Sequence, residues 1–476
     1  MKTYPLYLNG QFVTTEPAKP VVSPSTGEAF AQISTTDRAR LAVALEDAHA
    51  AFTQWRRVPG KTRGAYLRKI AELVESRKDE IARAITLENG KPLAQSLGEV
   101  AMTVDHLQWF AEEARRVYGR IVPNQVDNKR HLVVKTPMGV VGAISPWNFP
   151  LALAVRKIAP ALAAGCTVVL KPATQTPVCA ALFAECVHAA GLPAGVFQMI
   201  VGPSSAFGEE FLSNPLCRKI TFTGSTEVGR LLIKGAAATI KPLSLELGGH
   251  APVLVFADAD LETAVEGAAI AKFRNTGQSC IAANRVLVER PIYERFLEAF
   301  AAKTRSLKVG DGLEPGVDIG PLIDQAGIDK ATEHVQDAVA RGARLVCGGK
   351  RVEGRKGFFF EPTVLADVPL ASACMREETF APIAPVCAFD TEQEALEQAN
   401  SSIYGLSAYA FTTNLDRSFR LMEGLEAGTI GINDGVPTTS QCPFGGVKQS
   451  GWGRELGTEG LDAFMETKHV ALGMKM

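Results

Sequence analysis

RKITFTGSTEVGRLLIKGAAATIKPLSLELGG, residues 218–249, reads as strand, turn, helix and strand. RKITFTG is short and apolar, STEVGRLLIKGAAATI carries apolar residues at helical spacing, and PLSLELGG returns to a strand pattern. The alternation extends from Val140 to about Phe256, with CTVVLKP and GVFQMIVG as buried strands and QTPVCAALFAECVHAAG as a helix. Such a pattern predicts a parallel sheet with helices on both faces, the architecture of dinucleotide-binding domains. From Ala257 to about Ile432 strands and helices alternate again, which predicts a second α/β domain.

A dinucleotide site usually carries GxGxxG after its first strand, and none is present. GGKRVEG and FGGVKQSG are glycine-rich but lack the spacing of a P-loop. The turn Thr223-Gly224-Ser225 is the better candidate, since a strand running into a helix there aims free N–H groups at a phosphate. Taken alone, TGS reads equally as a turn with a serine cap.

Before this region, LAVALEDAHAAFTQW, residues 62–90 and AMTVDHLQWFAEEARRVYG show helical spacing, with Gly90 as a C-cap and Gly119 ending the last run. IVPNQVDNKRHLVVKTPMGVVGAISPWN alternates and predicts strands joined by polar turns. At 476 residues the chain is long enough for two or three domains. Its net charge of -1 gives no support for nucleic acid or an anionic membrane as main partner. The N-terminus lacks a secretory pattern, and no apolar window is long enough for a membrane span. Nine scattered cysteines with no CxxC pair predict reduced thiols and a cytoplasmic location. Seven dispersed histidines with no HExxH predict no metal site.

PWNFP (146–150), KPATQTP (171–177), FTGSTEVG (222–229), LELGG (245–249), GQSC (277–280), EETFAP (377–382) and PFGGVKQSG (443–451) occur in order. Together they closely resemble the aldehyde dehydrogenase superfamily over essentially the whole chain. The resemblance implies a modified Rossmann cofactor domain in two segments (1–119 and 141–248) and an α/β catalytic domain (249–441). It also implies a small β oligomerisation element, made from the hairpin 120–140 and the end of the return segment 442–476, and hence a homo-oligomer, dimer or tetramer. Pyrophosphate contacts would then come from the TGS turn, which accounts for the absent GxGxxG.

By the same resemblance Cys280 is the nucleophile, Asn148 and the Cys280 N–H are oxyanion donors, and Glu246 is the base that releases the acid. Read singly, Cys280 could be a small buried hydrophobe, Glu246 a surface residue on a strand and Asn148 a turn residue. An unperturbed thiol is only about 3% ionised at pH 7, so activation is required. Ile144, Ser145, Pro146, Trp147, Lys171, Gly224, Ser225, Leu247, Glu378 and Phe380 match cofactor-binding positions. Ala381 stands where the family usually has glycine, which could shift the Glu378 loop. Thr174 stands where NAD-preferring relatives often carry a glutamate, so NADP is expected to be accepted and preferred, with NAD as the alternative.

KFRNTGQ and VRKIAPALAAGC are similar to succinate-semialdehyde dehydrogenases in particular. In that group arginines at the positions of Arg156 and Arg274 bind the substrate carboxylate, with help from a hydroxyl for which Thr438, Thr439 and Ser440 are candidates. A guanidinium fork suits a carboxylate through two charge-assisted hydrogen bonds. Glutarate semialdehyde and a sulfonated aldehyde would suit the same pair of arginines. Ala282 excludes a local disulfide with Cys280, and His250 reads as a polar residue at the domain seam. A CoA-acylating enzyme generally lacks the glutamate base, so Glu246 counts against it. A non-catalytic binding or structural protein on this scaffold would not need Cys280, Glu246 and Asn148 together.

Overall fold

The structure, a computed structural model, describes residues 1–475. An eight-stranded sheet runs in the order Gly451–Trp452, Leu243–Glu246, Cys217–Thr223, Val140–Ile144, Thr167–Lys171, Phe197–Met199, Leu6–Leu8 and Gln11–Val13. Its five strands from Leu243–Glu246 to Phe197–Met199 are mutually parallel, and the flanking ones antiparallel. These central strands are short runs of apolar, mostly β-branched residues, as burial on both faces requires. The mixed α/β architecture with parallel sheets is the one expected.

Register decides what the first sheet presents. Ile144 pairs with Lys171 and with Phe222, and Thr223 pairs with Glu246. The carboxyl ends of these strands therefore share one edge, and Ser145–Asn148, Gly224–Ser225 and Leu247–Gly248 leave it together. Ligands of open α/β sheets bind at such an edge.

The second sheet has seven strands, ordered Arg344–Cys347, Thr363–Ala366, Ile383–Phe389, Ala283–Glu289, Ala251–Val255, Ser407–Phe411 and Thr429–Ile432, all parallel except the first. A third sheet pairs Met465–Gly473 with Lys129–Pro137 over nine residues, and Arg120–Val122 with the same strand. It projects Ile121 and Leu472 into solvent.

Two local expectations need correction. The run 62–90 is two helices, Gly60–Ser76 and Lys78–Asn89, split at Arg77. No glycine or proline marks the break; the Arg77 guanidinium bridges Glu80 and Glu185, a tertiary tie no local pattern reveals. The next helix, Leu93–Glu113, starts directly after Pro92 and stops six residues before Gly119. Between the Pro146–Pro150 turn and the strand Thr167–Lys171 lies a helix, Ala152–Ala164, buried on every face and containing Pro160. A helix without a polar side carries no periodic signal, so it stays hidden in the sequence.

Candidate active site

Cys280 follows an abrupt reversal of the chain between the helix Leu261–Phe273 and the strand Ala283–Glu289. Asn275, Thr276 and Gly277 all adopt left-handed backbone angles, with φ of 51°, 58° and 73°. Gly277 is required there, since a Cβ would stand 2.4 Å from the Ala381 carbonyl oxygen. Ala381 itself is buried, its methyl packed in the apolar core of the second sheet.

Asn148 is buried, and four groups fix its place. Its amide nitrogen donates to the Gln278 carbonyl at 3.1 Å. Its carbonyl accepts from Lys91 Nζ at 2.7 Å, from Asn275 Nδ2 at 2.8 Å and, more weakly, from Asn89 Nδ2 at 3.5 Å. Lys91 also pairs with the buried Glu99 at 2.7 Å, and Glu99 accepts the N–H groups of Leu151 and Ala152. Lys91, Glu99 and Asn275 thus brace the Asn148 turn, and motif reading did not single them out.

Glu246 ends its strand facing inward, 2% exposed, with Oε2 unpartnered. Gly445 makes room for it: a Cβ there would lie 2.8 Å from Glu246 Oε1. Burial and the nearby Glu455 charge push the Glu246 carboxyl well above the usual range. Glu455 is held by Lys157, which also donates to Thr223 Oγ1 at 2.6 Å. Burial, together with the Glu378 and Glu246 carboxylates, pushes the Cys280 thiol up to about 12. The resting cysteine is a thiol.

Cys280 lines two cavities. One has Phe149, Leu153, Ile281 and Phe444 among its apolar walls, and Arg156, Arg274, Ser279, Tyr409 and Thr438 as polar groups. Neither arginine is paired with a carboxylate among the described residues, and burial lowers both from the usual guanidinium range. Each lies over an aromatic face, Arg156 over Phe444 at 4.9 Å and Arg274 over Phe149 at 5.4 Å. Thr439 and Ser440 do not line this cavity; the Ser440 hydroxyl contacts His106 and Asp105 instead.

The other cavity, of about 720 Å³, opens along the strand ends. It is lined by Pro146, Trp147, Asn148, Thr223–Ser225, Leu247, Gly248, Glu378 and Phe380, and also by Lys330. Ser225 caps the helix Thr226–Ala236 by accepting from Val228 N, and the positive helix end borders the groove. Trp147 and Phe380 meet edge to face, centroids 5.4 Å apart. Glu378 is raised to about 7 by burial, accepts the Gly249 N–H at 3.0 Å, and gives its own carbonyl to Lys330. A ribose-bearing, phosphate-bearing ligand fits this combination of flat apolar walls, a carboxyl and a helix N-terminus. Ile144, Ser145, Lys171 and Thr174 lie beyond the cavity wall along the same sheet edge; Ser145 Oγ is buried without a partner, and Lys171 donates only to the Pro172 carbonyl at 3.3 Å. His250 is buried, with Nε2 on the Cys374 carbonyl at 3.1 Å.

Comparisons with known proteins agree with this geometry. Residues 12–470 match the aldehyde dehydrogenase family. The chain is 46% identical over 470 residues to a glutarate-semialdehyde dehydrogenase of Pseudomonas putida, covering 98% of this chain and 97% of that one. It is 46% identical over 469 residues to an NADP(+)-linked succinate-semialdehyde dehydrogenase of Escherichia coli, with the same coverage. The crystal structure of a succinate-semialdehyde dehydrogenase from Burkholderia pseudomallei superposes with a TM-score of 0.97 at 45% identity, covering 99% of this chain and 98% of that one.

Proposed function

We propose that this chain, which belongs to the aldehyde dehydrogenase family and is thus an NAD(P)-dependent oxidoreductase of aldehydes, takes succinate semialdehyde or a closely similar anionic semialdehyde as substrate. One observation carries the substrate class: two arginines without a carboxylate partner face the cavity that reaches Cys280. Desolvating a guanidinium is costly, and a substrate carboxylate would supply the partner each lacks. The apolar walls between them and the cysteine suit a short methylene chain.

In this reading the Cys280 thiol passes its proton to solvent water and its sulfur attacks the aldehyde carbon, the carbonyl π-electrons moving to the oxygen, with Asn148 Nδ2 and the Cys280 N–H receiving the oxyanion. A bound NAD(P) supplies the hydride acceptor and would lie in the groove of Trp147, Ser225, Glu378 and Phe380. Glu246 then takes a proton from water, which cleaves the thioester and releases the acid.

The test compares kcat/KM for succinate semialdehyde and butanal, which share a four-carbon chain. A preference above about 100-fold for the acid is expected, and Arg274→Leu should remove about 10- to 150-fold of it. Equal rates for the two substrates would discard the anionic reading. Glutarate semialdehyde belongs in the same series, since one methylene is resolved by about 1–3 kcal/mol.

NADP preference has its own support. Lys171 has no carboxylate partner among the described residues, and burial together with the Lys19 charge lowers its ammonium to about 8. A 2′-phosphate near these two lysines would restore the charge, and the neutral Thr174 offers no repulsion. Thr174→Glu should shift the NADP:NAD ratio of kcat/KM toward NAD by at least about tenfold; an unchanged ratio would sink the argument.

Assembly as a homodimer or tetramer is supported by the third sheet, whose exposed Ile121 and Leu472 want cover. No described helix is long and apolar enough to cross a membrane. A cytoplasmic location is favoured by nine cysteines that form no disulfide.

A further inference from the structure

Arg156 rises from the helix Ala152–Ala164 into the wall of the aldehyde cavity, and its guanidinium is held in an unusual way. Its Nε donates to His106 Nε2 at 3.1 Å. His106 lies on the neighbouring helix Leu93–Glu113 and is 1% exposed. The other ring nitrogen, Nδ1, stands 2.7 Å from Ser440 Oγ, and Ser440 contacts Asp105 Oδ2 in turn.

The chemistry fixes every direction in this chain. An arginine Nε–H can only donate, so His106 Nε2 must accept. The proton of a neutral imidazole then sits on Nδ1 and is donated to Ser440 Oγ. The serine hydroxyl donates onward to the carboxylate of Asp105. Burial and the Arg156 charge hold His106 well below its ordinary range, consistent with a neutral ring.

We propose that Asp105, Ser440 and His106 form a relay that positions Arg156 for a substrate carboxylate while leaving its positive charge uncancelled. The inference rests on the anionic-substrate reading above and extends it to three residues that do not touch the substrate. A direct Asp or Glu partner would orient the guanidinium equally well, but an arriving carboxylate would then meet a neutral pair. A neutral imidazole accepts the hydrogen bond and adds no charge. With Nε engaged and the guanidinium over Phe444, the Nη groups are left for the cavity that Arg156 lines. Nη2 has only the Met102 sulfur at 3.8 Å, and Nη1 has no acceptor among the described residues. The acidic end lies three residues from Arg156 along the chain of hydrogen bonds, where it polarises the ring without pairing the arginine. Ser440 also ties the relay to the segment carrying Thr438, which lines the same cavity.

The experiment reads the ratio of kcat/KM for succinate semialdehyde to that for butanal in the wild type, His106→Phe, His106→Gln, Ser440→Ala and Arg156→Leu. Phenylalanine keeps the ring volume and removes the acceptor, and the ratio should fall about 10- to 100-fold, mainly through KM of the semialdehyde. Glutamine offers both an acceptor and a donor and should restore the ratio to within about fivefold. General damage to the fold lowers both substrates together and leaves the ratio alone. Should His106→Phe not fold, Ser440→Ala tests the next link and should lower the ratio in the same direction. An unchanged ratio in His106→Phe or Ser440→Ala, with a loss in Arg156→Leu, overturns the relay and keeps the arginine clamp. An unchanged ratio in Arg156→Leu overturns the relay by assigning the carboxylate to Arg274 alone. A wild-type ratio near one overturns the substrate reading, and the relay with it.

Discussion

Cys280→Ala is expected to abolish aldehyde oxidation, by on the order of 10⁴-fold or more, while cofactor binding survives. The thiol reaches both cavities and, among the described residues, is the only nucleophilic side chain that does so. Burial and the neighbouring carboxylates hold the thiol pKa well above neutral pH, so the thiolate is a minor form. Catalysis through it therefore needs proton removal coupled to attack, and a methyl group offers nothing to attack with. The rest of the groove proposed for the cofactor is independent of this side chain, since its walls come from the strand ends and the Glu378 segment. Trp147, in that wall, makes binding readable by fluorescence. Absorbance of the reduced cofactor measures turnover in the same sample. Turnover near the wild-type rate would exclude Cys280 as nucleophile.

Glu246→Gln is expected to reduce kcat by about 10²- to 10³-fold and to trap the acyl-enzyme, seen as an added mass on the intact protein after mixing. Glutamine fills the same space opposite Gly445, so packing is retained. It also relieves the repulsion between two buried carboxylates, Glu246 and Glu455, and the folded state should lose little stability. The raised carboxyl gives the sign of the pH effect. A general base works only when deprotonated, so wild-type deacylation should rise with pH through the raised pKa of Glu246 and fall on acidification. The glutamine variant should lose that limb. Normal steady turnover without a trapped adduct would remove Glu246 from deacylation.

What the sequence made legible was whatever is local or ordered. The alternation of 140–256 gave the parallel sheet, because each strand and helix carries its own pattern. The motif around Cys280 marked the nucleophile candidate, and the TGS turn marked the groove. Long-range ties stayed out of reach. His106 and Ser440 are 334 residues apart, and nothing in VDHLQW announces an arginine partner. Lys91 and Asn275 converge on the Asn148 carbonyl from separate segments, and Glu99 holds Lys91 in place. Ser440 shows the limit most clearly. Its neighbourhood to PFGG suggested direct contact with substrate, but its hydroxyl turns away to Asp105 and only Thr438 reaches the cavity.

The cysteine between two cavities has a consequence for traffic through the enzyme. With aldehyde in one cavity and cofactor in the other, as proposed, the two would approach the same sulfur by separate doors, and neither would need to vacate the site for the other to enter. The acid would then depart by its own exit while the groove behind it stayed filled. Order of entry and release is then set by how each ligand changes its own side, and the two queues can be retuned independently by substitutions that never meet.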